Sequence, residues 1–141
     1  MKRNSGFTLV EIMVVVVIIG LLAGIVGPMV WARLEEAKRT TARTQIKAFE
    51  QAIEIFRMHN GRYPTTQQGL EALVRKPTVA PIPNKYSPEG YIKEIPADPW
   101  GNPYIYRSPG EKNPYDIIST ARTGEEGGEG LDADVTNHDA S

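Results

Sequence analysis

The sequence predicts an α+β fold: one long N-terminal α-helix, apolar and then amphipathic, packed on a small antiparallel sheet and followed by a C-terminal loop. Three observations predict it. Residues 12–32 form a run of 21 without a single charge. An apolar stripe at helical spacing then continues to Phe56, after which only short strand-like runs appear among prolines and turn pairs. The last 19 residues, 123–141, hold six acidic residues and no basic one.

Whole-chain averages conceal this layout. The 141 residues carry 16 Lys plus Arg against 17 Asp plus Glu, a net charge of −1. That length suits one ordinary domain, or one element plus a small domain. A general electrostatic nucleic-acid binder would be strongly basic, so no nucleic-acid partner is expected. The chain has no cysteine, which excludes disulfides, thiolate chemistry and Cys-ligated zinc.

A helix of 21 residues spans about 30 Å, the thickness of a bilayer's hydrocarbon core. Val14–Val17 is β-branched and would suit a strand in water. In lipid an open strand leaves its backbone groups unpaired, so a helix is forced. A buried core helix rarely runs so long uncharged. A cleaved secretory signal has a shorter apolar region ending at small residues, whereas this one runs straight into a helical pattern. Lys2 and Arg3 precede the run, so the N-terminus should stay cytoplasmic and the rest be translocated. Arg33, Lys38, Arg39 and Arg43 on the far side weaken that vote. Glu11 heads the apolar run, where an ionised carboxylate near hydrocarbon is costly unless paired. By position alone it is either a functional intramembrane acid or a solvated interfacial one.

From Arg33 the pattern turns amphipathic. Ala42, Ile46, Phe49, Ile53 and Phe56 form one helical stripe, with Lys47, Glu50, Glu54 and Arg57 off it. Asn60-Gly61 should cap the helix. Gly20, Gly24, Gly27 and Pro28 interrupt it. Gly20 and Gly24 could make a packing face, and Pro28 removes an intrahelical hydrogen bond. Residues 20–28 are thus expected to form a soft segment, with Gly20 and Pro28 as its softening residues.

Thr65-Thr66-Gln67-Gln68 reads as a capping box opening a short helix that ends near Lys76-Pro77. Pro77, Pro81, Pro83 and Pro88 make residues 77–90 an irregular loop. Tyr91-Ile92 is a short extended piece, and Tyr104–Tyr106 and Tyr115–Ser119 read as strands. Asp98-Pro99-Trp100-Gly101 reads as a turn with an aromatic packed on the sheet. The acidic residues 123–137 could be a solvated tail, which composition alone favours, or a loop wrapped around a cation; their spacing is not that of an EF-hand. No catalytic cluster stands out. His59 and His138 are the only histidines, no nucleophile-elbow, zincin or Walker motif occurs, and an enzyme is not expected.

Gly6-Phe7-Thr8-Leu9-Val10-Glu11 after a short basic leader resembles the class III signal of type IV pilins and type II secretion pseudopilins. Residues 62–70 (RYPTTQQGL), with Gly90-Tyr91-Ile92 and Asp98-Pro99-Trp100-Gly101, look like the two signatures of the major pseudopilins, the general secretion pathway protein G family. The resemblance implies a pilin-like fold. It implies a leader 1–6 cut between Gly6 and Phe7 by a prepilin peptidase, which also N-methylates Phe7. It gives Glu11 the assembly role. Residues 7–32 would be the membrane and filament-core half of the helix, 33–60 its amphipathic half, 61–122 the head and 123–141 the acidic loop.

The implied function is polymerisation into a periplasmic pseudopilus that drives folded proteins across the outer membrane. A type IV pilus subunit for adhesion, motility or DNA uptake is the alternative. Implied partners are further copies of the chain, minor pseudopilins, the peptidase-methyltransferase, an inner-membrane assembly platform and, before assembly, lipid. The implied location is the bacterial inner membrane, crossed once, with the N-terminus cytoplasmic and the head periplasmic.

The cysteine-free tail also fits this branch, in which a bound calcium holds the C-terminal loop. The carried-over ligands are Asp132, Asp134, a carbonyl near Thr120, and the position of Thr123. There the family usually has Asp, within Ala-Asp-Gly or Pro-Asp-Gly, where this chain has Arg122-Thr123-Gly124. A hydroxyl is a weaker calcium partner than a carboxylate, so a site of lowered affinity is expected, with Glu125 or Glu126 available to compensate.

Physics adds a reason for Glu11. Cleavage creates an α-amine at Phe7 within about one turn of Glu11. In a stack of subunits, one amine can neutralise the Glu11 of a neighbour. Such a dry pair adds little stability but penalises misregister.

Overall fold

A computed structural model describes residues 6–140. Leader residues 1–5, including Lys2 and Arg3, and the terminal Ser141 lie outside the described residues. The element order is α1 (Leu9–Asn60), a 3₁₀ turn at Leu70–Leu73, β1 (Ile105–Arg107), β2 (Asp116–Ser119), a 3₁₀ turn at Gly130–Asp132, β3 (Val135–Thr136) and a last 3₁₀ turn at Asn137–Ala140. Two compact units divide the chain, residues 1–36 and 37–141.

Helix α1 has 52 residues, about 78 Å at the α-helical rise. It remains helical through Gly20, Gly24, Gly27 and Pro28. Gly61 ends it at φ 72°, where a Cβ would be strained, and its N–H donates to the Arg57 carbonyl at 2.7 Å. In the second unit the predicted stripe is the core face: Ala42, Ile46, Ile53 and Phe56 are 0% exposed and Phe49 is 2%. Phe49 meets Tyr104 edge-on at 5.1 Å, and Phe56 meets Tyr91 at 5.5 Å.

The sheet has the order β1-β2-β3, all antiparallel. Ile105 opposes Ile118, and Ser119 opposes Val135. Every residue of β2 is buried, as suits a central strand. Strand β1 starts one residue later than the predicted Tyr104. Strand β3 lies inside the segment expected to be only a loop. It is two residues long, too short for periodicity to reveal. Just beyond it, the Asn137 side chain continues the pairing. Its Oδ1 accepts from Ile117 N–H at 3.0 Å, and its Nδ2 donates to the Tyr115 carbonyl at 3.2 Å.

The capping box after α1 forms reciprocally. Thr65 Oγ1 accepts from Gln68 N–H at 3.2 Å, and Gln68 Oε1 accepts from Thr65 N–H at 3.1 Å. Gln68 Nε2 also donates to the carbonyls of Val79 and Pro81, both at 2.9 Å, pinning the proline-rich loop. The capping box closes only a turn at residues 66–69; Gly69 at φ 60° separates it from the 3₁₀ turn at Leu70–Leu73, and no continuous helix runs from Thr65 to Lys76. Tyr91-Ile92 is not a strand. Both amides donate to the Leu73 carbonyl, at 2.7 and 3.1 Å, so the segment caps that turn instead.

Candidate functional site

The expected site residues fall in two places, and each is described by itself. The first is the start of α1. Gly6 and Phe7 precede the helix, and Phe7 is 84% exposed. Thr8 N–H donates to Glu11 Oε2 at 2.8 Å, while Glu11 N–H donates to Thr8 Oγ1 at 3.2 Å. This is a capping box, and Glu11 in the first turn also faces the positive end of the helix dipole. The Thr-x-x-Glu spacing is present in the sequence, but the longer apolar pattern that starts beside it masks the signal.

All residues from 6 to 34 are exposed. A continuous apolar surface of that size needs lipid or other helices around it. The helix is long and apolar enough to cross a membrane. A Cβ at Gly20, Gly24 or Gly27 would meet nothing within 4 Å, so no close approach within the chain requires these glycines.

The second place is the C-terminal loop. Its root is a turn built on Asp98, which is only 4% exposed. Asp98 Oδ1 accepts from the N–H of Trp100 at 3.1 Å and of Asn102 at 2.7 Å. Asp98 Oδ2 accepts from the Ser119 hydroxyl at 2.6 Å. Trp100 packs against the core, as the sequence suggested. Asn102 Nδ2 then donates to the Ala121 carbonyl at 2.8 Å, and Ala121 is held at φ 50°, the strained left-handed region for a residue with a Cβ.

Beyond that root, the residues expected to hold calcium are already partnered. Thr123 Oγ1 lies 3.0 Å from the Thr120 carbonyl and 2.8 Å from that of Glu125. Asp132 Oδ1 accepts from Arg122 through Nε at 2.9 Å and Nη2 at 2.5 Å. Asp134 Oδ2 accepts from Gly127 N–H at 2.9 Å, leaving Asp134 Oδ1 buried without a hydrogen-bond partner. Glu126 pairs with Arg107, and that contact raises the Arg107 pKa. A Cβ on Gly128, at φ 91°, would collide with the Asp132 carbonyl, so the loop closes tightly here. Calcium takes six to eight oxygens, several of them carboxylates. Among the described residues no three Asp, Glu or His side chains converge to hold a metal. With Asp132 paired to the Arg122 guanidinium and only Asp134 Oδ1 left without a partner, the side chains as placed do not fit the ion.

His138 is not a bare tail residue. Its Nε2 lies 2.8 Å from Asp116 Oδ1, and Asp116 on β2 is 4% exposed on its side chain. The contact lays the last turn against the central strand without making a hydrogen bond, since Asp116 Oδ1 is buried with no hydrogen-bond partner. The His138 Nδ1 faces Asn113 Nδ2 at 2.5 Å. His59 lies against Tyr91, 3.2 Å from its hydroxyl.

Two family models match the chain. The family described as type II secretion system (T2SS), protein G matches residues 29–138, and the prokaryotic N-terminal methylation motif matches residues 1–27. The type II secretion system core protein G of Pseudomonas aeruginosa is 52% identical over 138 residues, covering 98% of this chain and 97% of that protein. The core protein G of Vibrio cholerae is 50% identical over 137 residues, covering 97% and 93%. The crystal structure of the major pseudopilin from the type 2 secretion system of enterohaemorrhagic Escherichia coli superposes with a TM-score of 0.72. It is 39% identical, over 78% of this chain and 90% of that one. With its apolar helix, its three-stranded head and these matches along its length, the chain belongs to the type II secretion system protein G family.

Proposed function

We infer that this chain is a major pseudopilin, the subunit that polymerises into the pseudopilus of a type II secretion system and so moves folded proteins across the outer membrane. The observation that carries this is the exposed, uncharged helical surface following Glu11, in a chain whose relatives are core protein G subunits. Among the described residues none buries that surface. Lipid covers it first, and the helices of neighbouring subunits cover it after assembly. The role is structural and involves no chemistry at a pocket.

The rest of the cycle rests on the same residues. The leader 1–6 is removed between Gly6 and Phe7 by a prepilin peptidase, and Phe7 is N-methylated. Residues 7–32 hold the subunit in the inner membrane, N-terminus cytoplasmic and head periplasmic. On assembly the new amine of one subunit meets the Glu11 carboxylate of another, which sets register more than it adds stability. Minor pseudopilins and an inner-membrane platform are the partners this requires.

The decisive experiment is a deletion strain. It should lose secretion of its exoproteins, regain it with the wild-type gene, and not regain it with Glu11→Gln. A strain that still secretes but loses surface pili or twitching is making a type IV pilus subunit instead.

A further inference from the structure

Three arginines from three separate stretches hold the acidic loop. Arg39 on α1, only 8% exposed, donates through Nη1 to the Ala133 carbonyl at 2.6 Å. Arg107, at the end of β1, pairs with Glu126. Arg122 places two nitrogens on a single oxygen of Asp132. Between them they fix the loop at residues 126, 132 and 133, on both sides of the tight turn at Gly128.

The sequence around Arg122 gives this arrangement a further meaning. The resemblance implies Ala-Asp or Pro-Asp at the positions where this chain has Arg122-Thr123. One substitution removes an anion and the other adds a cation. Together they shift the local charge by two positive units, which is the charge of a calcium ion. The added guanidinium sits 2.5 Å from Asp132, one of the two remaining acidic ligands, where it repels any incoming cation. The Thr123 hydroxyl lies against the Thr120 and Glu125 carbonyls, where the one proton it carries is shared between them.

We propose that Arg122 is the resident cation of this loop, standing on Asp132 in place of a calcium ion, so that the head folds and keeps its C-terminus closed without metal. The proposal rests on the family reading for the alignment of the loop. It does not depend on secretion, so the deletion strain and the unfolding experiment can fail separately.

The test is thermal unfolding of the full chain in detergent, in chelator and in millimolar calcium, alongside calorimetric titration with calcium. Wild type should melt at the same temperature in both and give no heat of binding. Arg122→Ala in chelator should melt lower by about 2–4 °C, the scale for losing a half-exposed ion pair. Arg122→Ala combined with Thr123→Asp should become calcium-dependent, regaining the lost degrees when calcium is added. Should Arg122→Ala fail to fold, Asp132→Asn removes the other half of the pair and should show the same chelator-side loss. Calcium binding to wild type, or a wild-type melt lowered by chelator, overturns the proposal. So do an Arg122→Ala or Asp132→Asn variant as stable as wild type in chelator, and a double variant indifferent to calcium.

Discussion

Thr8 and Glu11 hydrogen-bond each other twice across the first turn of α1, each backbone N–H donating to the other's side chain. The carboxylate at the head of the apolar run therefore has a partner before any neighbouring subunit arrives. Thr8→Ala should cost about 0.5–2 kcal/mol of local helix stability. The measurement is amide exchange in detergent, faster at Leu9–Glu11 and unchanged from Val14 onward. Glu11→Gln keeps an acceptor oxygen, so that protection should survive while filament assembly is lost at normal membrane levels.

Pro28 lies inside an otherwise continuous α1. Pro28→Ala restores a backbone donor and removes a ring clash, so residues 20–28 should hold helical order more firmly in the assembled filament. Filament imaging and stretching measure this. A filament with unchanged helical order and mechanics would show that the segment owes no softness to Pro28.

Phe56 is fully buried and meets both Tyr86 and Tyr91 edge-on. Phe56→Ala should destabilise the head by about 3–5 kcal/mol. Met58, two residues on, is 71% exposed, and Met58→Ala should stay within about 0.5 kcal/mol of wild type. Denaturant melts of the two variants measure the contrast, and equal losses would mean that the stripe is not the core face.

Burial pushes the hydroxyls of Tyr86 and Tyr106 up to about 12 from the ordinary 10.0, and raises Tyr104 and Tyr115 as well. Tyr106 additionally donates to the Pro64 carbonyl at 2.9 Å. The folded head keeps protons that the unfolded chain releases. That contribution to stability is full below pH 10 and is lost as pH rises towards 12. Melting temperature should fall across this window, in step with tyrosinate absorbance. A flat melting temperature there would contradict the burial of these hydroxyls.

The long helix and its core face were legible because they obey one period over many residues. The stripe from Ala42 to Phe56 and the stop at Gly61 need no tertiary information. Strand β3 was not legible, since two residues carry no pattern and their partner lies far back in the chain at Ile118 and Ser119. The helix expected after Thr65 is divided at Gly69, whose positive φ separates the Thr65–Gln68 turn from the 3₁₀ turn at Leu70–Leu73. At the start of α1, Glu11 was legible as a costly charge, while its partner Thr8 needed the capping geometry. In the loop, Asp132 and Asp134 read as ligands from their charge. That Arg122 reaches Asp132 is a matter of chain reversal at Gly124–Gly130, which no spacing rule predicts.

Asp98 ties together stretches that are distant in sequence: its own turn through Trp100 and Asn102, strand β2 through Ser119, and the start of the loop through Asn102 and Ala121. Segments sharing one buried anchor cannot come loose one at a time. The 98–102 turn and the 119–121 corner should behave as a single cooperative opening unit, exchanging their protected amides at a common rate even though about twenty residues separate them. The corner from which the acidic loop departs thus owes its persistence to one carboxylate whose hydrogen bonds go to Trp100, Asn102 and Ser119 and to none of the loop's acidic residues.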